Sequence, residues 1–305
     1  MSQITSQPGS KIASPQTESS SFYTVIDEAY QSFIEAHPDT PELWLLIQTL
    51  YTGANRRALL NMLPIQPGMQ VLDIGAGFGA LTFDLASQRP ISVQAIDTNE
   101  SSLNVARQIH DNLLSRGCCT ESPIQFATAN VYDLPYGDGS FDFAIARFVY
   151  QHLSDPVAAT REVFRTLRPG GFLCLMDIDD QLTITYPEAS PDFQRLQSAA
   201  QQLQKVRGGD RFVGRKLASY LHEAGFAQIT PVIQPQVQFA FSQPGDLANR
   251  LTVKRFVEMK EGILQAGIMP EAEFNQAMES LRNDTGSWKF ESVGQVVVLA
   301  QKPQV

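Results

Sequence analysis

Apolar positions between Phe22 and Leu63 recur at helical spacing. Tyr23, Ile26, Tyr30, Phe33 and Ile34 share one face, and Leu43 to Leu50 and Ala58 to Leu63 continue the pattern after a break at His37 to Pro41. A helical N-terminal lid over residues 22–66 is predicted. The preceding residues, 1–21, are mainly Ser, Gln, Thr and Pro, with too few large apolar groups to offset the entropy lost on ordering, and read as a disordered tail. After Gln66-Pro67-Gly68 the period changes to short β-rich runs separated by helical stretches: Val71 to Ile74, Val93 to Ile96, Ile124 to Ala127, Phe141 to Ala146 and Phe172 to Met176. Such alternation implies right-handed crossovers and a parallel sheet covered on both faces, an α/β doubly wound architecture.

The helix ends are legible. Asn99 can cap a helix carrying Leu103, Ala106, Ile109 and Leu113 on one face, and Asp155-Pro156 supplies an N-cap and a first-turn proline. Arg168-Pro169-Gly170-Gly171 reads as the stop of that helix and the turn into the next strand. Beyond Asp177 the pattern loosens, with a helix at Lys216 to Ala224, a strand at Ala227 to Val232, two or three helices over 245–283, and a last strand at Val293 to Ala300. No repeat and no second nucleotide-type βαβ set is found. One domain over 67–305 is expected, with helical insertions at about 179–215 and 239–286.

Charge and composition narrow the function. Of 305 residues 23 are basic and 32 acidic, a net charge of −9 that argues against nucleic acid as a partner. No apolar run approaches the ~20 residues that span a bilayer, and the first residues lack a signal core or an Arg-rich transit pattern, so the cytoplasm is the expected location. Cys118 and Cys119 are adjacent and Cys174 falls in a predicted buried strand, which suggests neither a disulfide framework nor a zinc site. No metal requirement is expected.

The chemistry concentrates at Val71-Leu72-Asp73-Ile74-Gly75-Ala76-Gly77-Phe78-Gly79, a buried strand closing in a glycine turn before a helix. Glycine at alternating positions admits positive φ and close backbone approach to a ligand, and the helix start offers unpaired N–H groups. The spacing is G-x-G-x-G with Ala80 in place of the third glycine of the dinucleotide fingerprint, which weakens a reading as an NAD site. Asp97, at the end of the next strand and 20 residues after Gly77, suits ribose hydroxyls, and the Asn130 amide suits the edge of adenine.

With these elements the chain resembles the class I S-adenosylmethionine-dependent methyltransferases, specifically the small-molecule group called methyltransferase type 11, over about residues 56–178. The residues that carry the likeness are Val71 to Gly79, Asp97, Asp133-Leu134-Pro135, Gly139-Ser140-Phe141-Asp142, Arg147 to Asp155 and Leu167-Arg168-Pro169-Gly170-Gly171. Asn130 departs from the aspartate of many relatives. The resemblance implies a Rossmann-like, mostly parallel seven-stranded sheet and S-adenosylmethionine as cofactor, converted to S-adenosylhomocysteine. It also implies cofactor-binding roles for Asp73 (ammonium), Gly75, Ala76, Gly77 and Gly79 (amino-acid part), Asp97 and Thr98 (ribose), Asn130 and Val131 (adenine), Arg147 (backbone, ammonium) and Arg57 (carboxylate, or else a solvated helix arginine).

Methyl transfer from a sulfonium needs alignment and desolvation, whereas a hydroxyl or carbon-acid acceptor also needs a base. The candidate catalytic residues are His152, Tyr150 and Asp177; His152 can alternatively hold a loop, and Asp177 can be base, substrate anchor or loop cap. Tyr23 and Arg211 are the candidate acceptor-binding residues. Arg211 stands in a basic stretch with Lys205, Arg207, Arg215 and Lys216 that can orient a carboxylate or phosphate on a small-molecule acceptor, or simply be solvated. Leu251, Phe256, Met259, Ile263 and Leu264 can cover an apolar acceptor, form a homodimer contact or pack in the core. The alternatives to methylation at O, N or C are a non-catalytic cofactor-binding subunit and an NAD-dependent oxidoreductase.

Overall fold

A computed structural model describes residues 19–304. Residues 1–18 of the expected tail lie outside the described residues, and 19–21 begin the first helix instead. The chain runs α1 (Ser19–Ala36), α2 (Leu43–Tyr51), α3 (Gly53–Leu60), β1 (Gln70–Ile74), α4 (Ala80–Gln88), β2 (Ser92–Asp97), α5 (Glu100–Ser115), β3 (Ile124–Thr128), β4 (Phe141–Arg147), α6 (Pro156–Thr166) and β5 (Leu167–Ile178). It continues through β6 (Ile184–Tyr186), α7 (Pro191–Val206), α8 (Leu217–Glu223), β7 (Ala227–Ile233), β8 (Gln236–Phe241), α9 (Leu247–Gln265), α10 (Glu271–Asn283), β9 (Trp288–Val293) and β10 (Gln295–Gln301). A single 3-10 turn, Tyr150–His152, follows β4.

Seven strands form the expected sheet in the order β3-β2-β1-β4-β5-β10-β7, parallel except for β10, which runs against both neighbours. The chain steps outward from β1 to β3 and then returns to place β4 on the other side of β1. That reversal opens a crevice at the carboxyl ends of β1 and β4, where doubly wound sheets bind ligands. The register sets Ile74 beside both Ile96 and Ala146, so Asp73, Asp97 and Arg147 end neighbouring strands. Asn99 caps α5, accepting the Ser101 and Ser102 amides at 3.0 and 3.3 Å, and Asp155 caps α6 through the Ala158 amide.

Apolar side chains collect on both faces of the sheet. α1, α2, α4 and α5 cover one face around Tyr30, Phe83 and Leu103, and α6 and α8 cover the other around Val163, Leu217 and Leu221. A third cluster joins α7, α9 and α10 through Leu196, Leu203, Phe256, Ile263 and Phe274. Phe256 and Ile263, from the stripe left open between three roles, are buried in this cluster as core.

Three local expectations are corrected. Arg168 to Gly171 is not a stop: β5 starts at Leu167 and runs through it, with Gly170 at φ 77 donating its amide to the Lys302 carbonyl. The final strand begins at Gln295, because Val293 closes β9 and Gly294 alone separates the two. Finally, the insertion at 239–286 is not purely helical. Parts of β8 and all of α9 and α10 occupy it, and β6, β9 and β8 form a second, antiparallel three-stranded sheet.

Candidate functional site

The glycine turn follows β1 directly. Gly75, Gly77 and Gly79 have φ of 69, 52 and 83°, the left-handed region that L side chains disfavour. A Cβ on Gly75 would lie 2.3 Å from Val149 Cγ2, and one on Gly79 would lie 2.7 Å from the Phe83 ring. Above Gly77 the nearest atom is Asp97 Oδ2 at 4.0 Å, so the backbone there is open to a ligand. Asp97 ties the turn to β2, accepting the Gly77 amide on Oδ2 at 2.8 Å and the Asn99 amide on Oδ1 at 2.9 Å. Each oxygen keeps acceptor capacity for a hydroxyl. The Ala76 amide donates to the Ile96 carbonyl, and the buried Tyr30 hydroxyl of α1 donates to the Phe78 carbonyl at 2.8 Å.

Asp73 is fully buried beneath this turn, with Oδ2 accepting the Thr82 hydroxyl at 2.5 Å. Burial, aided by the neighbouring Asp97, pushes its carboxyl up to about 7. Nearby stand two arginines with unmet donors. Arg56, 1% exposed, gives Nε to Asp84 at 2.7 Å and Nη1 to the Thr49 carbonyl, but its buried Nη2 has no partner. Arg147 Nε is likewise buried and unpartnered, with the guanidinium 4.0 Å over the Phe148 ring. Burial, then the adjacent Arg56, lowers Arg147 to about 9. Phe148 itself is held at φ 61, a strained setting for a non-glycine residue at a strand end.

The arrangement suits the cofactor implied by resemblance. A buried carboxylate raised toward neutrality gains most from an ammonium, and orphaned guanidinium donors, each costing about 1–3 kcal/mol unmet, gain from a carboxylate. Open backbone above Gly77 and a part-free Asp97 complete a surface for a zwitterionic nucleoside. At the far edge Asn130 Oδ1 accepts the Tyr132 amide, which leaves its NH2 available beside the buried Val131; Thr98 is exposed next to Asp97.

Other expected residues stand differently. Arg57 is committed away from the turn, to both Asp27 oxygens at 2.8 and 2.6 Å and to Asp84 at 3.0 Å; Arg56, one position earlier, faces inward instead. The Arg57 guanidinium lies 4.5 Å over the Tyr23 ring, which joins Tyr23 to the pairs Arg57 makes with Asp27 and Asp84. Tyr150 is buried with its hydroxyl on Thr160 Oγ1 at 3.0 Å, and burial raises it well above the ordinary phenol range, which removes it as a base. Asp177 accepts the Gln151 and Ile178 amides at 3.1 and 2.8 Å and therefore caps the turn carrying His152. Arg211 is paired with both oxygens of Asp180 and with Gln151, so it is a wall of the crevice and no free anchor. His152 faces the crevice, its Nδ1 3.3 Å from the Gln204 amide nitrogen.

Sequence reasoning passed over Arg56, Tyr30 and Glu42. Glu42 accepts the Asn99 amide at 3.2 Å beside Asp97, and burial followed by Asp97 raises its carboxyl. In the sequence Tyr30 shows only helical spacing, and nothing marks the other two.

Comparison with known proteins accords with this geometry. Residues 72–175 match the family profile described as a methyltransferase domain. An uncharacterized 37.1 kDa protein in transposon TN4556 of Streptomyces fradiae is 34% identical over 206 residues, 66% of this chain and 56% of that one, so the chain spans little more than half of that relative. The 27-O-demethylrifamycin SV methyltransferase of Amycolatopsis mediterranei is 27% identical over 246 residues, covering 80% of this chain and 81% of the relative. The crystal structure of a candidate methyltransferase from Bacillus halodurans, 19% identical, superposes with a TM-score of 0.53 over 82% of this chain and 100% of that one, a likeness of fold. The glycine turn and sheet order are those of the methyltransferase fold, and residues 72–175 within it are similar to the methyltransferase domain family.

Proposed function

We propose that this protein transfers a methyl group from S-adenosylmethionine to an O, N or C atom of a small-molecule metabolite in the cytoplasm. The observation that carries the reading is the buried Asp73 carboxyl, pushed up to about 7 beneath an open glycine turn and set near two orphaned arginine donors. Asp73 would hold the ammonium, Arg56 Nη2 and Arg147 Nε the carboxylate, Asp97 the ribose, and Asn130 with the Val131 amide the adenine. When bound, the sulfonium supplies a methyl group whose displacement leaves a neutral thioether, so the protein need not stabilise a departing anion.

The chain's own part is alignment and exclusion of water. Asp177 fixes the turn that carries His152 against the crevice, and α7 and α9 close over it. Two relatives are named for oxygen and carbon acceptors, the rifamycin enzyme and the ubiquinone/menaquinone C-methyltransferase UbiE of Vibrio vulnificus, so O- and C-methylation lead among the candidates. Calorimetry with S-adenosylhomocysteine, alongside turnover with a labelled methyl donor, tests the reading. Binding without turnover on any metabolite would favour the regulatory-subunit alternative, and NAD binding in its place would favour an oxidoreductase.

A further inference from the structure

α7 and α9 pack side by side over the Tyr150–His152 turn, and the cleft between them holds two small cavities. One, about 70 Å³, is lined by His152, Gln204, Arg207 and Met259 among others; the second, about 60 Å³, is lined by Gln201, Arg211 and Arg255. At roughly 10–15 Å³ per water each accommodates about five waters, the room of a carboxylate or phosphate group but not of a ring system.

The donors facing these cavities fall into two sets. Arg211 and Gln201 are satisfied by Asp180. Apart from main-chain bonds such as the Arg207 amide on the Leu203 carbonyl, Arg255 and Arg207 make no hydrogen bond or ion pair among the described residues. Arg255 lies 5.8 Å from each of the Trp44 and Phe256 rings, where burial and then the nearby Arg211 push its guanidinium down to about 9. Arg207 lies against α9 at Gly262, in space that a Cβ there would contest, since Nη2 would be 2.7 Å from it. Arg207 is exposed at its cavity, whereas burial is costly for the Arg255 guanidinium, because Asp180, the carboxylate that acts on it, is already shared by Arg211 and Gln201; an oxyanion offsets that cost.

His152 adds a third donor. The Gln204 amide nitrogen donates to the Gln151 carbonyl at 2.8 Å, which fixes the orientation of the amide. The same nitrogen lies 3.2 Å from Gln151 Oε1 and 3.3 Å from His152 Nδ1. In the tautomer whose Nδ1 accepts from it, the imidazole proton sits on Nε2 and can be donated to an anion.

We propose that Arg255 in one cavity and Arg207 with His152 in the other, one helical turn further along the α7–α9 seam, together form an oxyanion subsite beside the acceptor crevice, so that the methyl acceptor carries a carboxylate or a phosphate held there. The proposal rests on the methyltransferase reading and names its substrate class. The test is calorimetric titration with inorganic phosphate and, separately, acetate, each on the free protein and on protein saturated with S-adenosylhomocysteine. At least one of the anions binds at a single site, the stronger of the two telling phosphate from carboxylate. Arg255→Gln weakens it tenfold or more and Arg207→Gln severalfold, with S-adenosylhomocysteine affinity unchanged. Arg116→Gln, remote on α1's Glu28, leaves anion binding as it is. Absence of binding by both anions, or binding that survives both Arg255→Gln and Arg207→Gln, overturns the subsite. A protein that takes the anion but not S-adenosylhomocysteine retains the subsite and defeats the methyltransferase reading instead.

Discussion

Asp73 makes the cofactor end of the crevice a proton-coupled site. Its carboxyl is pushed from the ordinary 3.8 up to about 7, because burial penalises the charged form. The folded state therefore holds more protons than the unfolded chain between about pH 4 and 7, and stability contributed by this group, and by Asp177 for the same cause, falls as pH rises through that window. An ammonium docked beside Asp73 reverses the shift. Binding of S-adenosylhomocysteine near pH 6.5 is thus expected to release a proton, read as a dependence of the calorimetric heat on buffer ionisation enthalpy. Asp73→Asn should abolish that release and weaken binding by 10- to 100-fold, the range of one charge-assisted bond at about 1.5–3 kcal/mol; a release that persists in the variant would remove Asp73 from the site. Arg147 supplies the complementary case. Replacing this unpaired, half-buried cation in Arg147→Met is expected to raise the Tm of the free protein while lowering S-adenosylhomocysteine affinity about tenfold. A lower Tm with unchanged affinity would mean that Arg147 serves packing alone.

At the level of elements, α3 presents two successive arginines to different surroundings: Arg56 is buried on Asp84, Thr49 and Thr52, and Arg57 reaches out to Asp27 while sharing Asp84. Arg57→Gln should lower Tm, since it breaks pairs with Asp27 and Asp84, yet leave S-adenosylhomocysteine affinity within about twofold; a loss of tenfold or more would restore Arg57 as a cofactor ligand. α9 is held by Phe256, fully buried against α7 and α10, so Phe256→Ala should cost about 3–5 kcal/mol in denaturant unfolding, and a cost under 1 kcal/mol would deny that contact its role. These elements also mark how far the sequence could be read. The cofactor end was legible because a strand, its glycine turn and the capped helices at Asn99 and Asp155 are written in contiguous residues whose backbone needs are local. The acceptor end was not, because His152, Arg207 and Arg255 reach one cleft only after α7 and α9 have packed, and a one-residue rotation separates Arg56 from Arg57. The second sheet escaped for a related reason. β6 has three residues, and β8 alternates half-buried and exposed positions with Phe239 and Phe241 outward, a pattern that only its partner β9 makes sense of.

Across the whole molecule, a net charge of −9 surrounds a crevice that mixes carboxylates with arginines, and burial lowers Arg147 and Arg255 although Asp73, Asp177 and Asp180 act to raise them. The sheet brings three strand ends together, the N-terminal helices lock the glycine turn through Tyr30, and the later helices build the chamber beside it. On the proposed reading, such a layout divides the labour between a cofactor half dictated by the sheet and an acceptor half assembled from insertions. The most direct measurement is isothermal calorimetry of the purified protein with S-adenosylhomocysteine and with NAD. One-site binding of the former in the micromolar range, lost in Asp73→Asn and absent for NAD, is the predicted result. Saturable NAD binding with no heat from S-adenosylhomocysteine would contradict it.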